Sequence, residues 1–172
     1  MTGFAGALVQ SSMTSIYVSG TNISPTRWNF GSSGIVGASF SREVLTYGTL
    51  WAFETEAGVA QRFGRLDETE VWSALYFRWK SFPWSDRLRT SVAVSTGLNW
   101  ASDVPRYELE KSRGGRSQVL HYLSPEVTFG SIDHPNFDLV FRFHHRSGGK
   151  LAVFDNASGG VQYGTVGLRY RW

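Results

Sequence analysis

Residues 71–80 read Val71-Trp-Ser-Ala-Leu-Tyr-Phe-Arg-Trp-Lys80, and this stretch decides the fold. Its odd-numbered positions are mostly large and apolar, whereas its even-numbered positions include Arg78 and Lys80. Side chains of a β-strand alternate between two faces with a period of two residues. The stretch therefore predicts a strand with one wide apolar face and one mixed face.

The same alternation recurs along the chain, in segments separated by turn residues. We assign further strands to residues 51–60, 88–100, 123–129, 137–147 and 165–172, and two weaker candidates to 15–21 and 35–42. One face is aromatic or aliphatic, and the other combines Gly, Ala and Ser with single Glu and Arg residues. Because 172 residues suit one domain of ordinary size, the pattern predicts an all-β, up-and-down antiparallel barrel of eight strands spanning 1–172.

Two kinds of barrel are compatible with this alternation. A soluble, lipocalin-like barrel would fill its lumen with the aromatic face and expose small residues beside isolated charges. A transmembrane barrel turns the aromatic face to lipid and fills a narrow lumen with ion pairs. Charged residues make up only 18% of the chain, against about 25% in an average soluble domain, which favours the membrane barrel. The end of the chain, Tyr170-Arg-Trp172, resembles the terminal signature of bacterial outer-membrane proteins, so we expect that location.

Composition and residue types exclude several other classes of protein. No apolar run approaches the roughly 20 residues of a membrane-spanning helix. The absence of cysteine excludes disulfides, Cys-based zinc sites and a thiol nucleophile, and a net charge of +3 is too small to indicate nucleic acid. The adjacent His144 and His145 point to opposite faces of a strand and cannot share a metal ion, so we expect neither a metal nor a cofactor. We place His144 in the lumen with an ion-pair network of Arg142, Arg146, Glu126 and Asp138.

A possible chemical site lies at the end of the segment Phe141-Arg-Phe-His-His-Arg-Ser-Gly-Gly149. His145 and Ser147 share one face and lie about 6 to 7 Å apart along the strand, close enough for the hydroxyl to meet the imidazole. That face is also the face of Phe143, so both side chains point toward lipid, where polar groups are costly. The alternative is that both lie near the strand end, where headgroups and water satisfy them. Spacing alone favours that alternative because H-x-S is a weak pattern.

The sequence resembles the lipid A 3-O-deacylases of Gram-negative outer membranes. The resemblance rests on His145-Arg-Ser-Gly-Gly149, with weaker echoes at residues 54–64 and 123–127. It implies an eight-stranded barrel with a serine hydrolase site on its outer, lipid-facing surface, which removes an ester-linked acyl chain from lipid A. By this resemblance Ser147 is the nucleophile and His145 its general base, and the backbone N–H groups of Gly148 and Gly149 are the oxyanion donors. The family has Asn after the serine, where this chain has Gly148.

The third member of the site departs further from the family. The family carries a Glu on the first part of the last strand, and the matching position here is Gln162, whose parity places it on the face of His145. An amide accepts a hydrogen bond from imidazole but does not stabilise imidazolium by charge. Asp155 lies in the loop before this strand, and its carboxylate could pair with His145 if the loop folds back onto the site. The alternative is a non-enzymatic outer-membrane barrel, structural or lipopolysaccharide-binding, whose triad has decayed.

The predicted outer loop around residues 106–116 carries clustered basic residues. Lys111, Arg113 and Arg116 suit contact with lipid A phosphates, since guanidinium binds phosphate as a fork, although a solvated loop explains the same residues. The expected partners are lipid A or lipopolysaccharide and outer-membrane lipid, a homodimer is left open, and nucleic acid is not expected.

Overall fold

A computed structural model of the protein describes residues 1–20, 24–104, 116–157 and 159–172. The strands in these ranges are β1 (Thr2–Val9), β2 (Phe30–Tyr47), β3 (Trp51–Gly64), β4 (Thr69–Trp79), β5 (Leu88–Ala101), β6 (Val119–Leu123), β7 (Glu126–Ser131), β8 (Phe137–Ser147) and β9 (Gly160–Tyr170). Short helical turns lie at Thr14–Val18, Pro25–Arg27 and Ala152–Phe154. No helix within the described ranges has the length and apolar character needed to cross a bilayer.

The strands form a closed antiparallel barrel. Strands β1 to β5 pair with their neighbours in sequence, β8 pairs with β9, and β1 also pairs with β9, which closes the ring. Both β6 and β7 lie between β5 and β8 and occupy one position. They are separated at Ser124 and Pro125, where the proline has no N–H for the ladder. The predicted eight-stranded meander is therefore confirmed.

The two ends of the barrel differ in their connections. Both chain termini lie at one end, together with the turns that follow β2, β4 and β7. At the opposite end, the connections of residues 10–29, 102–118 and 148–159 are longer. Outer-membrane barrels have short periplasmic turns and longer extracellular loops, so the second end is extracellular, and β8 reaches it at Ser147.

The expected boundaries of the first two strands were wrong. The first strand is Thr2–Val9 rather than 15–21, and the turn Thr14–Val18, which overlaps the expected range, is π-helical. Two Gly and two Ala residues leave Thr2–Val9 with little alternation, because the barrel wall is crowded there: a Cβ at Gly6 would lie 2.3 Å from the carbonyl oxygen of Gly164. The second strand continues past residue 42 to Tyr47 through a bulge, and Gly48 then adopts a left-handed φ of 52° in the turn.

Ion pairs fill the middle of the lumen, as the mixed face predicts. The buried Glu126 carboxylate accepts hydrogen bonds from Arg78 at 2.6 Å, from Arg169 at 2.7 Å, and from Arg142 at 2.7 and 2.9 Å. Arg142 also donates to both oxygens of Glu56, at 3.0 and 2.7 Å. Every charge in this cluster thus has an opposite partner, which a dry interior requires.

His144 and Arg146 are in the lumen, but not beside Glu126 and Asp138 as expected. His144 bonds instead to Glu70 through Nε2 and to the Tyr122 hydroxyl through Nδ1, the latter at 3.1 Å. Arg146 donates to the Gln118 carbonyl at 3.0 Å. The pairing follows from the register, since both residues lie near the extracellular end of β8, whereas Arg142 lies near its middle.

The outward face of the barrel is apolar and its side chains are exposed, as expected of a wall that faces lipid. In β4 the burial pattern alternates strictly, with Val71, Leu75 and Phe77 on the exposed side. Trp51 and Trp79, which pair across β3 and β4, lie near the periplasmic end, where aromatic girdles meet the headgroups. Phe143 is an exception: it has the outward parity but is only 2% exposed.

Lipid exposure of this face predicts a cost that depends on depth. Leu75 lies near the middle of β4 and Val71 near its extracellular end. Leu75→Arg should cost about 2 to 4 kcal/mol and Val71→Arg about 0 to 1 kcal/mol, because a charge is most expensive at the bilayer midplane. Denaturant unfolding of the barrel in lipid vesicles measures both free energies. Equal costs at the two positions would contradict the placement of β4 in the bilayer.

The lumen network predicts a large effect from loss of one cation. The Arg78 guanidinium donates hydrogen bonds to both carboxylate oxygens of Glu54, at 2.6 and 3.0 Å, and also donates to Glu126. Arg78→Met leaves both carboxylates without this partner and should cost about 3 to 5 kcal/mol of unfolding free energy. The matched control is Lys80→Met. Lys80 directly follows β4 with the parity of Arg78, and its ion pair with the half-exposed Glu43 should contribute about 0 to 1 kcal/mol. A small loss for Arg78→Met in the same vesicle assay would refute the structural role of the network.

Candidate active site

His145, Ser147 and Gln162 meet on the outer surface of the barrel. His145 and Ser147 end β8, and the register pairs His145 directly with Gln162 of β9. The Nε2 atom of His145 lies 3.0 Å from Ser147 Oγ, and its Nδ1 atom lies 3.1 Å from Gln162 Oε1. The three side chains therefore form one hydrogen-bonded chain, with the geometry of a nucleophile, a base and an orienting group.

The orientation of Gln162 fixes the tautomer of His145. The amide nitrogen of Gln162 donates to the backbone carbonyl of Ser11 in the first extracellular loop. A carbonyl only accepts, so the amide oxygen must face His145. Nδ1 of His145 then carries the ring proton, and Nε2 is left to accept from the Ser147 hydroxyl. This is the tautomer that a general base for Ser147 needs.

Asp155 does not reach His145 in this structure. It ends the turn Ala152–Phe154 in the left-handed conformation, with a φ of 55°, and its carboxylate accepts the backbone N–H of Arg116 at 2.8 Å. Both ring nitrogens of His145 already have other partners. The loop thus folds so that its carboxylate holds the neighbouring loop rather than the imidazole.

The two glycines after Ser147 differ in their backbone bonds. Gly148 donates its N–H to the Gly159 carbonyl at 3.2 Å, so that donor is already engaged. A Cβ at position 148 would lie 2.2 Å from the Ala157 carbonyl oxygen, which explains why a side chain such as Asn does not fit there. Among the described backbone bonds outside the strand ladders, none uses the N–H of Gly149. Of the two expected oxyanion donors, Gly149 is therefore the better placed.

An apolar groove of about 500 Å³ opens beside the site, between the barrel wall and the first extracellular loop. Phe143, two residues before His145 on the same face, meets Trp28 and Tyr17 of that loop, with ring centroids 5.4 and 5.6 Å apart. Pro125 and Val166 line the wall. Phe143 is buried because the loop covers it, and the groove is the space that remains on the lipid side.

Glycine at position 164 lets the loop approach the wall. A Cβ there would lie 2.6 Å from the Trp28 ring, so a larger residue would push the loop away. The same loop is held by Gln162 through Ser11 and by Asn29, whose N–H donates to Ser11 Oγ at 3.0 Å. The loop that forms the groove is therefore tied directly to the orienting residue of the site.

Sequence reasoning missed the contributions of this loop and of His121. Ser11 acts through its backbone carbonyl, for which no side-chain pattern exists. His121 lies in β6, directly opposite Ser147, but the expected strand began only at residue 123. Of the basic residues expected in the loop around 106–116, Arg116 is within the described residues, and Lys111 and Arg113 lie outside them.

Comparison with known proteins supports the architecture. No family model matches the sequence, and no curated protein matches it. Among solved structures, the outer membrane enzyme PagL aligns with a TM-score of 0.64 at 13% sequence identity, over 99% of this chain and 98% of that chain. Neisserial surface protein A (NspA) aligns with a TM-score of 0.52 at 16% identity, over 99% and 94% of the two chains. These likenesses show the fold: the chain is an eight-stranded β-barrel of the bacterial outer membrane, surrounded by membrane lipid.

The hydrogen bonds of Gln162 predict a measurable tautomer. In ¹⁵N spectra of the histidine-labelled barrel in micelles at neutral pH, His145 should be protonated on Nδ1 and unprotonated on Nε2. Gln162→Leu removes the acceptor and should give a mixture of tautomers, whereas Gln61→Leu, a glutamine on the distant β3, should leave the His145 signals unchanged. A wild-type His145 protonated on Nε2 would contradict the orientation of Gln162.

Proposed function

We propose that the protein is an outer-membrane serine esterase that removes an ester-linked acyl chain, at the 3-O position, from lipid A of lipopolysaccharide. The observation that carries the proposal is the hydrogen-bonded chain Ser147–His145–Gln162 on the lipid-facing surface, beside an apolar groove. Polar side chains on that face are costly, and they mark functional sites. Here the three side chains hydrogen-bond to one another in the order nucleophile, base and orienting group, which nucleophilic catalysis needs.

The reaction follows from the positions of the atoms. Ser147 Oγ attacks the ester carbonyl carbon while its proton passes to His145 Nε2, and the carbonyl becomes an oxyanion. His145 then returns the proton to the departing sugar oxygen, which leaves the acyl group on Ser147. A water molecule, deprotonated by His145, attacks the acyl-serine and releases the fatty acid. His145 then returns the proton it took from this water to Ser147 Oγ, so Ser147, His145 and water supply every proton transfer.

The groove supports an acyl-bearing substrate. It is lined mainly by aromatic and aliphatic side chains and lies on the lipid side of the wall, starting at Phe143, two residues before His145. An acyl chain in the groove would remain in an apolar environment, while its ester lies at the polar boundary where Ser147 is placed. The resemblance of residues 145–149 to the lipid A 3-O-deacylases and the likeness of the fold to PagL support the proposal of lipid A as substrate and of its 3-O chain as the group removed.

The amide at Gln162 is compatible with catalysis. In a serine protease, replacing the acid of the triad by its amide lowers kcat about 10⁴-fold because the histidine takes the wrong tautomer. Here the Ser11 carbonyl holds the amide nitrogen away from His145, so the tautomer is the productive one. The part of the loss in kcat that comes from a wrong tautomer is therefore avoided. The remaining part comes from the missing negative charge beside His145.

The basic residues of the extracellular loop complete the proposal. Asp155 accepts the backbone N–H of Arg116, and Lys111 and Arg113 precede Arg116 in the sequence. We assign to these side chains the recognition of lipid A phosphates, because arginine forms paired hydrogen bonds with phosphate.

One observation favours a second candidate function. NspA, a surface protein of the same fold, fits a barrel without catalysis, and the uncharged Gln162 is the change expected of a triad that has decayed. In that case the groove binds lipopolysaccharide or lipid without cleaving it.

Mutation of the two central residues tests the esterase directly. With lipid A in mixed micelles, Ser147→Ala and His145→Ala should each abolish release of fatty acid, and the double variant should be no worse, because members of a triad act as a unit. Ser73→Ala is the matched control, since Ser73 is an outward-facing serine of β4 remote from the site, and it should retain wild-type release. Mass spectrometry of the lipid and of the released acid measures all four variants.

Each other outcome counts against the esterase. Release by Ser147→Ala at the wild-type rate would remove this site from the reaction. No release by the wild-type barrel, together with retained binding of lipid A, would favour the non-enzymatic barrel.

A further inference from the structure

His121 carries a second imidazole in this patch, and it lies across the strand ladder from Ser147. It lies in β6, and the ladder pairs it directly with Ser147 of β8. Directly paired residues of antiparallel strands project to the same face, with Cβ atoms about 4.5 to 5.5 Å apart. His121 therefore shares the outward patch of Ser147, which is flanked by His145 along its own strand and by His121 across the ladder.

The ring of His121 is held in place by β5. Its Nε2 atom lies 2.9 Å from the Thr96 hydroxyl oxygen. No hydrogen bond in the part of the chain that the structure describes uses its Nδ1 atom. When the Thr96 hydroxyl donates to Nε2, the ring proton resides on Nδ1, and a neutral imidazole presents one unused N–H donor.

The site requires such a donor. The tetrahedral intermediate carries an oxyanion that needs hydrogen-bond donors beside the attacked carbon. Of the two expected backbone donors, Gly148 already donates to the Gly159 carbonyl, which leaves Gly149. A side chain next to Ser147 with an unused N–H would supply the second donor.

We propose that His121 donates from Nδ1 to the oxyanion formed on attack by Ser147, together with the N–H of Gly149. This inference rests on the proposed esterase function and deepens it by adding a catalytic residue. Thr96 is a positioning residue, because its hydroxyl holds the ring of His121 through Nε2 without touching the substrate. The bond exists only after the carbonyl has become an oxyanion, so it should affect kcat and leave KM nearly unchanged.

A long-chain alkyl fluorophosphonate tests the assignment. The Ser147 oxygen bonds to phosphorus, fluoride leaves, the serine proton passes to His145, and the phosphoryl oxygen occupies the oxyanion position. Loss of one oxyanion donor lowers rates by about 10²- to 10³-fold, so His121→Leu should slow labelling to that degree. His121→Asn, whose amide nitrogen replaces Nδ1, should retain most of the wild-type rate, and His121→Gln, whose amide lies at the Nε2 position, should not. Leu98→Ala, the outward neighbour of His121 on β5, is the control and should label at the wild-type rate.

The outcomes separate this inference from the proposed function. If the wild-type barrel labels at Ser147 while His121→Leu and His121→Gln label equally fast, the role of His121 is overturned and the esterase stands. If the wild-type barrel does not label at Ser147, the esterase fails, and the role of His121 fails with it. Heat-dependent mobility on gels, which reports a folded barrel, is checked for every variant, and the Asn and Gln variants decide the question if the Leu variant does not fold.

Discussion

Inside the lumen, Arg142 donates to the carboxylates of Glu56 and Glu126, and the orientation of β8 depends on this contact. A guanidinium between two buried carboxylates cannot be turned to lipid without losing both of its ion pairs. With Arg142 pointing inward, strand parity also sends His144 and Arg146 inward. Phe143, His145 and Ser147 must then face outward. His145 and Ser147 lie on the lipid side of the wall because the ion pairs occupy the other side.

A polar site on a lipid-facing wall must be covered from the lipid and supplied with hydrogen-bond partners, and the first extracellular loop does both. Trp28 and Tyr17 cover Phe143, and the Ser11 carbonyl accepts from Gln162. The loop thus forms the groove and fixes the orienting amide at the same time. We infer that any change that displaces the loop alters both the binding of an acyl chain and the tautomer of His145. Gly164 is the position where such a change is most direct, since any side chain there meets Trp28.

The sequence predicts those parts of the structure that the alternation of apolar and polar side chains determines. Residues 71–80 alternate so strongly that the exposed face of β4 was assigned correctly at every position. The hydrogen bonds among Ser147, His145 and Gln162 also follow from alternation, because parity and register place all three on one face.

The first strand was missed because Thr2–Val9 packs small residues in a crowded wall and carries almost no alternation. Ser11 and the partner of Asp155 could not be predicted, since a backbone carbonyl and the path of a loop leave no periodic signal. His121 was missed because the proline break shortens its strand to five residues.

The central claim is that an outward-facing serine cleaves an acyl ester of lipid A. The most direct measurement is tandem mass spectrometry of the lipid and the fatty acid after incubation of purified barrel with lipid A in ¹⁸O-labelled water. The account predicts loss of one ester-linked chain from the 3-O position, with ¹⁸O in the released carboxylic acid and none in the sugar hydroxyl, because water attacks an acyl-serine. Lipid A recovered intact from the folded wild-type barrel would contradict it.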